Sequence, residues 1–355
     1  MGRFTHAEYG QEVLMSLLGN NIIGNEALRA KLYSEIKSGT LSHAYIIEGK
    51  KGSGRHTLAK NIIAALACEN KGGTVPCGSC KSCRHIFEDK CPDVITINKK
   101  DKASVGIEAI RNIKSELLVV PNDLEIKAYI IEESDLMTTS AQNAFLLSME
   151  EPPKFVSFFL LCENARSMLE TIRSRAPILR TEPIPSEMIG EYICSDKVPD
   201  KLRESALSLK RNEPSEFDTV LMASDGSIGR AIELLSPRAR KPISDRRALA
   251  ESFIEALKTN SDIPVLLFNR FSQKREELIL QLEFIKSALR DLILLKKSEN
   301  APLGFYTDRE AALDISSMFF ERKLVSVFDL VDTAETSISK NANVKLTIIS
   351  LLTKI

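Results

Sequence analysis

The chain has 355 residues, 43% apolar and 27% charged, and its 48 lysines and arginines are balanced by 48 aspartates and glutamates. That length exceeds one ordinary domain, and the composition suits globular cores rather than a disordered or fibrous chain. The even charge argues against a protein that grips DNA alone through many phosphates, which would carry a basic excess. No run of about 18 apolar residues is present, so no membrane helix is expected. No basic segment followed by an apolar stretch opens the chain. A cytoplasmic location follows, and four of the seven cysteines crowd into residues 68–83, which there reads as metal binding rather than disulfides.

In chain order, the first predicted strand is Ala44–Ile47, followed by Gly49-Lys-Lys-Gly-Ser-Gly-Arg-His-Thr57. A phosphate-binding loop reads G-x-x-x-x-G-K-[S/T] between a strand and a helix. Gly49, Gly52 and Gly54 stand where that loop wants glycine, but Arg55 replaces the lysine and His56 replaces the hydroxyl. Guanidinium is larger and more rigidly forked than ammonium, and imidazole is a poor ligand for a hard, oxygen-preferring Mg²⁺. Thr57 lies one residue later, about 100° further round the helix. The loop therefore predicts an NTPase fold with a degenerate ATP/Mg²⁺ site that hydrolyses nothing, or else a bare strand-to-helix turn.

Next comes Cys77-x2-Cys80-x2-Cys83, preceded by Cys68. Four thiolates at such spacing close a tetrahedral shell around a structural Zn²⁺ and leave no open position for water. Three cysteines spaced by two also open an iron–sulfur run, but that run wants three residues before its last cysteine, and seven separate Cys83 from Cys91. Zinc is favoured, and Cys91 stands as a substitute for Cys68.

Further strands are expected at Val94–Ile97, Ala128–Ile131, Val156–Leu161 and Ile178–Arg180, with a helix over Thr139–Glu150 ending at Pro152-Pro153. Continuous apolar strands alternating with helices predict a doubly wound parallel sheet. Ala128-Tyr-Ile-Ile-Glu-Glu133 has the shape of a strand ending in Mg²⁺- and water-polarising carboxylates, Glu132 and Glu133, about 75 residues after the glycine loop. Solvated acids at a strand end would look the same. Arg175, in Ser174-Arg-Ala176, is the type of residue that stabilises phosphoryl-transfer charge in a neighbouring subunit. His43 reads as a turn or core residue. From about 182 the strand pattern stops, Ser236–Ser244 reads as a basic, proline-bearing linker, and residues 246–355 are helical with Leu278, Leu282, Ile285 and Leu289 on one face.

Taken together the segments resemble the AAA+ clamp-loader subunits of bacterial DNA polymerase III. The residues that carry the resemblance are Ile23-Gly-Asn-Glu26, Leu41-Ser-His-Ala-Tyr45, the glycine loop and the cysteines. They continue through Met137, Ser140-Ala-Gln-Asn-Ala144, Glu150-Glu-Pro-Pro153, Thr171-Ile-Arg-Ser-Arg175, Asp225-Gly-Ser-Ile-Gly-Arg-Ala231 and Asn341-Ala-Asn343. The missing lysine and hydroxyl match the delta-prime type rather than the gamma/tau motor.

The resemblance implies an AAA+ α/β domain over 1–181 with a zinc module at 68–83, a small helical lid over 182–240, and a helical collar domain over 241–355. It implies zinc on Cys68, Cys77, Cys80 and Cys83, and Arg175 as the arginine finger acting in trans, although Ala176 stands where the family carries cysteine. Arg230 takes the place of a nucleotide-sensing arginine. The implied role is a stationary subunit, joined to delta and gamma/tau in a hetero-oligomer, that helps load a sliding clamp onto primed DNA without hydrolysing ATP itself. The rival reading is an active gamma/tau-like ATPase using Arg55, Thr57 and Glu133.

Overall fold

A computed structural model describes residues 18–19, 22–70, 75–98, 106–258 and 267–355. The chain divides into two compact units, one of residues 1–204 with 224–232, the other of 205–223 with 233–355.

The first unit is built on five parallel strands: β1 (Ala44–Glu48), β2 (Val94–Ile97), β3 (Lys127–Ile131), β4 (Val156–Cys162) and β5 (Ile178–Arg180), in the order β2-β3-β4-β1-β5. This is the doubly wound parallel sheet that the sequence led us to expect, and each strand lies within a residue or two of its expected bounds. The three inner strands are apolar almost throughout because both their faces are covered. Tyr45, Ile47, Phe159 and Leu161 enter the core on one face, and Ala44, Ile46, Phe158 and Leu160 enter the core on the other. Each leucine, isoleucine and phenylalanine among them contributes about 1.5–3 kcal/mol by leaving water. Val94–Ile97 at the edge is only half-buried.

Helices α1 (Glu26–Ser38), α2 (Arg55–Leu66), α3 (Lys81–Phe87), α4 (Ile107–Glu116), α5 (Thr139–Glu150), α6 (Glu170–Arg173) and α7 (Ser186–Ile193) belong to this unit. Thr138 caps α5, its hydroxyl accepting from the Ala141 amide at 3.2 Å, and the side-chain amide of Gln142 then ties two segments together. It donates to Met137 O at 3.1 Å and accepts from the Leu169 amide at 2.8 Å, so α5 fixes where α6 begins. Beyond lie α8 (Asp200–Asn212), α9 (Pro214–Ala223) and α10 (Ile228–Leu234).

The second unit is helical, as its periodicity predicts. Helix α12 (Arg275–Lys297) lies among α11 (Pro237–Lys258), α13 (Arg309–Ser317) and α14 (Glu321–Ser339), and α15 (Val344–Leu352) packs on α14. Leu278, Leu282, Ile285 and Leu289 are all buried. The expected linker at 236–244 is not one, because α11 runs through it. Pro237 takes the first helical position, where a missing N–H costs nothing, and the amides of Ala239 and Arg240 bond to Ser236 O. Of the basic residues that suggested a solvated linker, Arg240 turns inward while Arg238 and Lys241 stay exposed. Arg240 is buried, its Nε donating to Glu216 at 2.8 Å and its Nη1 to Leu235 O at 3.2 Å. Among the described residues, no helix is long and apolar enough to cross a membrane.

Arg246 grips Glu277 with two parallel bonds of 2.7 and 2.6 Å, and that hydrogen bonding holds the carboxyl below its usual range. A depressed carboxyl pKa stabilises the fold above the unfolded value of about 4.3 and loses that contribution as pH falls through the folded value. Glu277→Gln should therefore cost up to about 1 kcal/mol at neutral pH, solvent screening included. Thermal melts of the variant and wild type should converge as the acid limb is approached.

Candidate functional site

Two features of the first unit gather chemistry-bearing side chains. One is a cavity of about 540 Å³ at the C-terminal end of the sheet, where α2 leaves the glycine loop. Gly52 and Gly54 both adopt positive φ (76° and 86°), a region open to glycine. Gly49 ends β1 instead. Its amide bonds to Cys162 O at 3.1 Å, and a Cβ there would sit 1.9 Å from Thr181 Oγ1, so only glycine fits.

The cavity is lined by Gly52, Gly54, Arg55, His56 and Thr57 from the loop and by Glu132 and Glu133 from the end of β3. Chain folding thus brings seven of the singled-out residues to one place. Gly49, Arg230 and Arg175 are not among the lining residues. Sequence reasoning missed Glu163, which lines the cavity just beyond β4, and Arg29 and Tyr192, which also line it. No local signal marks them, since only the fold brings these elements together.

Electrostatics at the loop end are unusual for a phosphate site. Arg55 is withdrawn: its side chain is 11% exposed, Nη2 lies 3.9 Å from Glu163 Oε1, and Nη1 is buried without a hydrogen-bond partner. His56 Nε2 lies 3.8 Å from Glu132 Oε1. That contact is not a salt bridge at neutral pH, because burial and then the charge of Lys60 outweigh Glu132 and Asp89 and push the imidazole pKa down. Three carboxylates (Glu132, Glu133 and Glu163) thus share the cavity with Arg29, Lys51, Arg55 and a neutral ring. At the position where the loop would place a free lysine, polyphosphate would meet a guanidinium already drawn toward Glu163. Thr57 lines the cavity from the first turn of α2.

The second feature is the cysteine set. The sulfurs of Cys68, Cys77, Cys80 and Cys83 all lie within 4.8 Å of one another. A tetrahedral Zn²⁺ with 2.3 Å bonds needs sulfurs about 3.8 Å apart, so the set encloses room for a single ion and not for a multi-iron cluster. Cys91 is buried in the same core but is not part of the group. The local fold shapes the donors. Cys80 caps α3, accepting from the Cys83 amide at 3.4 Å, and Cys77 accepts from the Cys80 amide at the same distance. The Cys80 amide pulls the Cys77 thiol down to about 6, whereas burial pushes Cys68 and Cys83 up. Cys83 Sγ also reaches Ala64 O at 3.8 Å, so the group is moored to the C-terminal end of α2.

Arg175 follows α6 with its side chain 41% exposed. Its Nη1 donates to Thr171 O at 3.0 Å, and Nη2 lies 3.6 Å from Glu150 Oε1.

Residues 24–185 match the family model described as DNA polymerase III, delta subunit. The chain is 26% identical over 300 residues to DNA polymerase III subunit gamma of Buchnera aphidicola, a match spanning 80% of this chain and 79% of that one. It is 31% identical over 181 residues to subunit delta' of Bacillus subtilis, spanning 51% of this chain and 54% of the relative, or about half its length. Among solved structures, a gamma subunit-related protein of Thermotoga maritima superposes with a TM-score of 0.42 at 22% identity, covering 92% of this chain and 97% of that one. The chain is thus similar to DNA polymerase III subunits of the gamma, tau and delta-prime type.

Proposed function

We propose that this chain is a delta-prime-like, stationary subunit of the DNA polymerase III clamp loader. It would stand in a hetero-oligomer with delta and gamma/tau subunits that places a sliding clamp on primed DNA. In that reading residues 182–240 act as a lid and 241–355 as the oligomerising collar. The cysteine group holds one structural zinc. Arg175 is the finger offered to the ATP site of a neighbouring gamma/tau subunit.

The observation that carries the reading is the state of the loop end. Arg55 turns to Glu163 instead of standing free for phosphates, His56 is held neutral, and three carboxylates share the space. Chemistry in the complex would then belong to the neighbour, with position and charge supplied from here.

The rival reading, an active gamma/tau-like ATPase using Arg55, Thr57 and Glu133, draws on the longer match to a gamma subunit. Calorimetric titration of the isolated chain with ATP and Mg²⁺, followed by a phosphate-release assay, separates the two. The stationary reading expects no turnover. Sustained phosphate release abolished by Glu133→Gln would establish the rival.

A further inference from the structure

The glycine-rich segment Asp225-Gly-Ser-Ile-Gly-Arg230 lies against the phosphate-type loop, within the same compact unit and 175 residues away in sequence. Four contacts join them. The Lys50 ammonium pairs with the Asp225 carboxylate. The Ser227 hydroxyl donates to Lys51 O at 3.0 Å, and the Gly229 amide donates to Gly52 O at 3.0 Å. Backbone meets backbone at the two glycines: a Cβ on Gly229 would sit 2.8 Å from Gly52 Cα, and one on Gly52 would sit 2.6 Å from Ser227 Oγ. Ser227 is buried, and its hydroxyl also accepts from the Arg230 amide at 3.1 Å.

The segment is braced from behind as well. Gly226, at φ 77°, gives its carbonyl to the Ile184 amide at 3.0 Å, and a Cβ there would strike Pro183 at 2.5 Å. Asp225 takes a left-handed φ of 49° that aims the turn at the loop. Loop, turn and the segment that follows β5 are thus pinned to one another by the chain's own groups.

We infer that residues 225–230 are an intramolecular latch that keeps the glycine loop closed with no nucleotide present. A ligand shifts a two-state element only by its difference in affinity for the two states. Where closure is already made by covalently attached partners, a nucleotide has little left to shift. The latch gives the first unit one fixed posture whatever the adenylate level. This inference rests on the contacts above and not on the delta-prime reading.

Hydrogen exchange read by mass spectrometry on the full chain tests it, following the peptides covering 49–57 and 224–232. Both should be protected without nucleotide and should not change with millimolar ATP·Mg²⁺. Ser227→Ala, which removes the donor to Lys51 O and the acceptor for the Arg230 amide, should speed exchange in both peptides together by at least about 5–10-fold, the worth of one net hydrogen bond. Gly229→Val should open them further by forcing the backbones apart. If Gly229→Val disturbs the whole unit, seen as exchange also rising in strand β4, Ser227→Ala alone decides.

Wild-type peptides exchanging at unstructured rates would overturn the latch. So would protection that appears only with ATP, or a Ser227→Ala chain indistinguishable from wild type. ATP turnover by a chain whose two peptides stay protected would sink the stationary reading and leave the latch standing.

Discussion

Stripping the metal from the isolated chain with a strong chelator should lower its melting temperature and loosen residues 68–90 first. The module contains a seven-residue helix, α3, and the chain on either side of it is brought together at the sulfur group. The side chain of Glu69, accepting from the Ser82 amide and hydroxyl at 3.0 and 2.7 Å, is an exposed pair and contributes little by itself. A closed four-thiolate shell contributes folding energy outright, with apparent values of about 10–16 kcal/mol in zinc-finger peptides at neutral pH. Only part of that reaches global stability here, because most of the residues packed on the sheet lie outside the module, and a loss of several kcal/mol is the expected scale.

Elemental analysis should find one zinc per chain and no iron. Cys68→Ser and Cys77→Ser should lose the metal, while Cys91→Ser keeps it. Loss of metal in Cys91→Ser would overturn the ligand set. The consequence should extend to the glycine loop's helix, since Cys68 follows the end of α2 and Cys83 reaches Ala64 within it. Exchange in the last turn of α2 should therefore rise on chelation, while that in β3 and β4 holds.

What could be read from the sequence and what could not divide along a physical line. Strands covered on both faces announce themselves by unbroken apolar runs, so all five were legible, as was the helix that Pro152-Pro153 stops. Ligand spacing at Cys77, Cys80 and Cys83 is local and equally plain. The fourth ligand was open between Cys68 and Cys91, because closing it depends on how α2 ends relative to α3, and only the fold shows Cys68 inside the group. The stretch at 236–244 misled because proline and clustered basic charge are loop signals in isolation. Here Pro237 begins a helix and Arg240 finds Glu216 from another helix. Glu163 beside Arg55, and Ser227 on Lys51, are contacts between residues more than 100 positions apart. Nothing in the neighbouring sequence encodes them. The degenerate loop itself was visible as two substitutions, but the withdrawal of Arg55 toward Glu163 was not, since it depends on where β4 ends.

Arg175→Ala should abolish the contribution of one neighbouring ATP site in the reconstituted clamp loader while the complex still assembles. Arginine fingers are worth roughly 10³–10⁵ in kcat at the site they serve, because their planar fork meets charge that develops on the transferring phosphoryl group. The assembled complex should then lose the share of its turnover that this one site provides. The substitution should be nearly silent in stability. The side chain is 41% exposed and is held by one hydrogen bond to Thr171 O and a 3.6 Å contact with Glu150, a pair worth at most about 1 kcal/mol.

The metal content and melting temperature of the isolated variant should therefore match wild type, which separates a catalytic loss from misfolding. Arg175→Lys should fail to restore the rate, because a point charge cannot reproduce bidentate contact with phosphate oxygens. Glu150→Gln is an informative companion, since it releases the guanidinium from its carboxylate and leaves the fork intact. A finger that must swing toward the neighbour's nucleotide should tolerate that change far better than loss of the arginine. An unchanged ATPase rate in Arg175→Ala complexes would instead place the trans-acting charge elsewhere on this chain, or on another subunit.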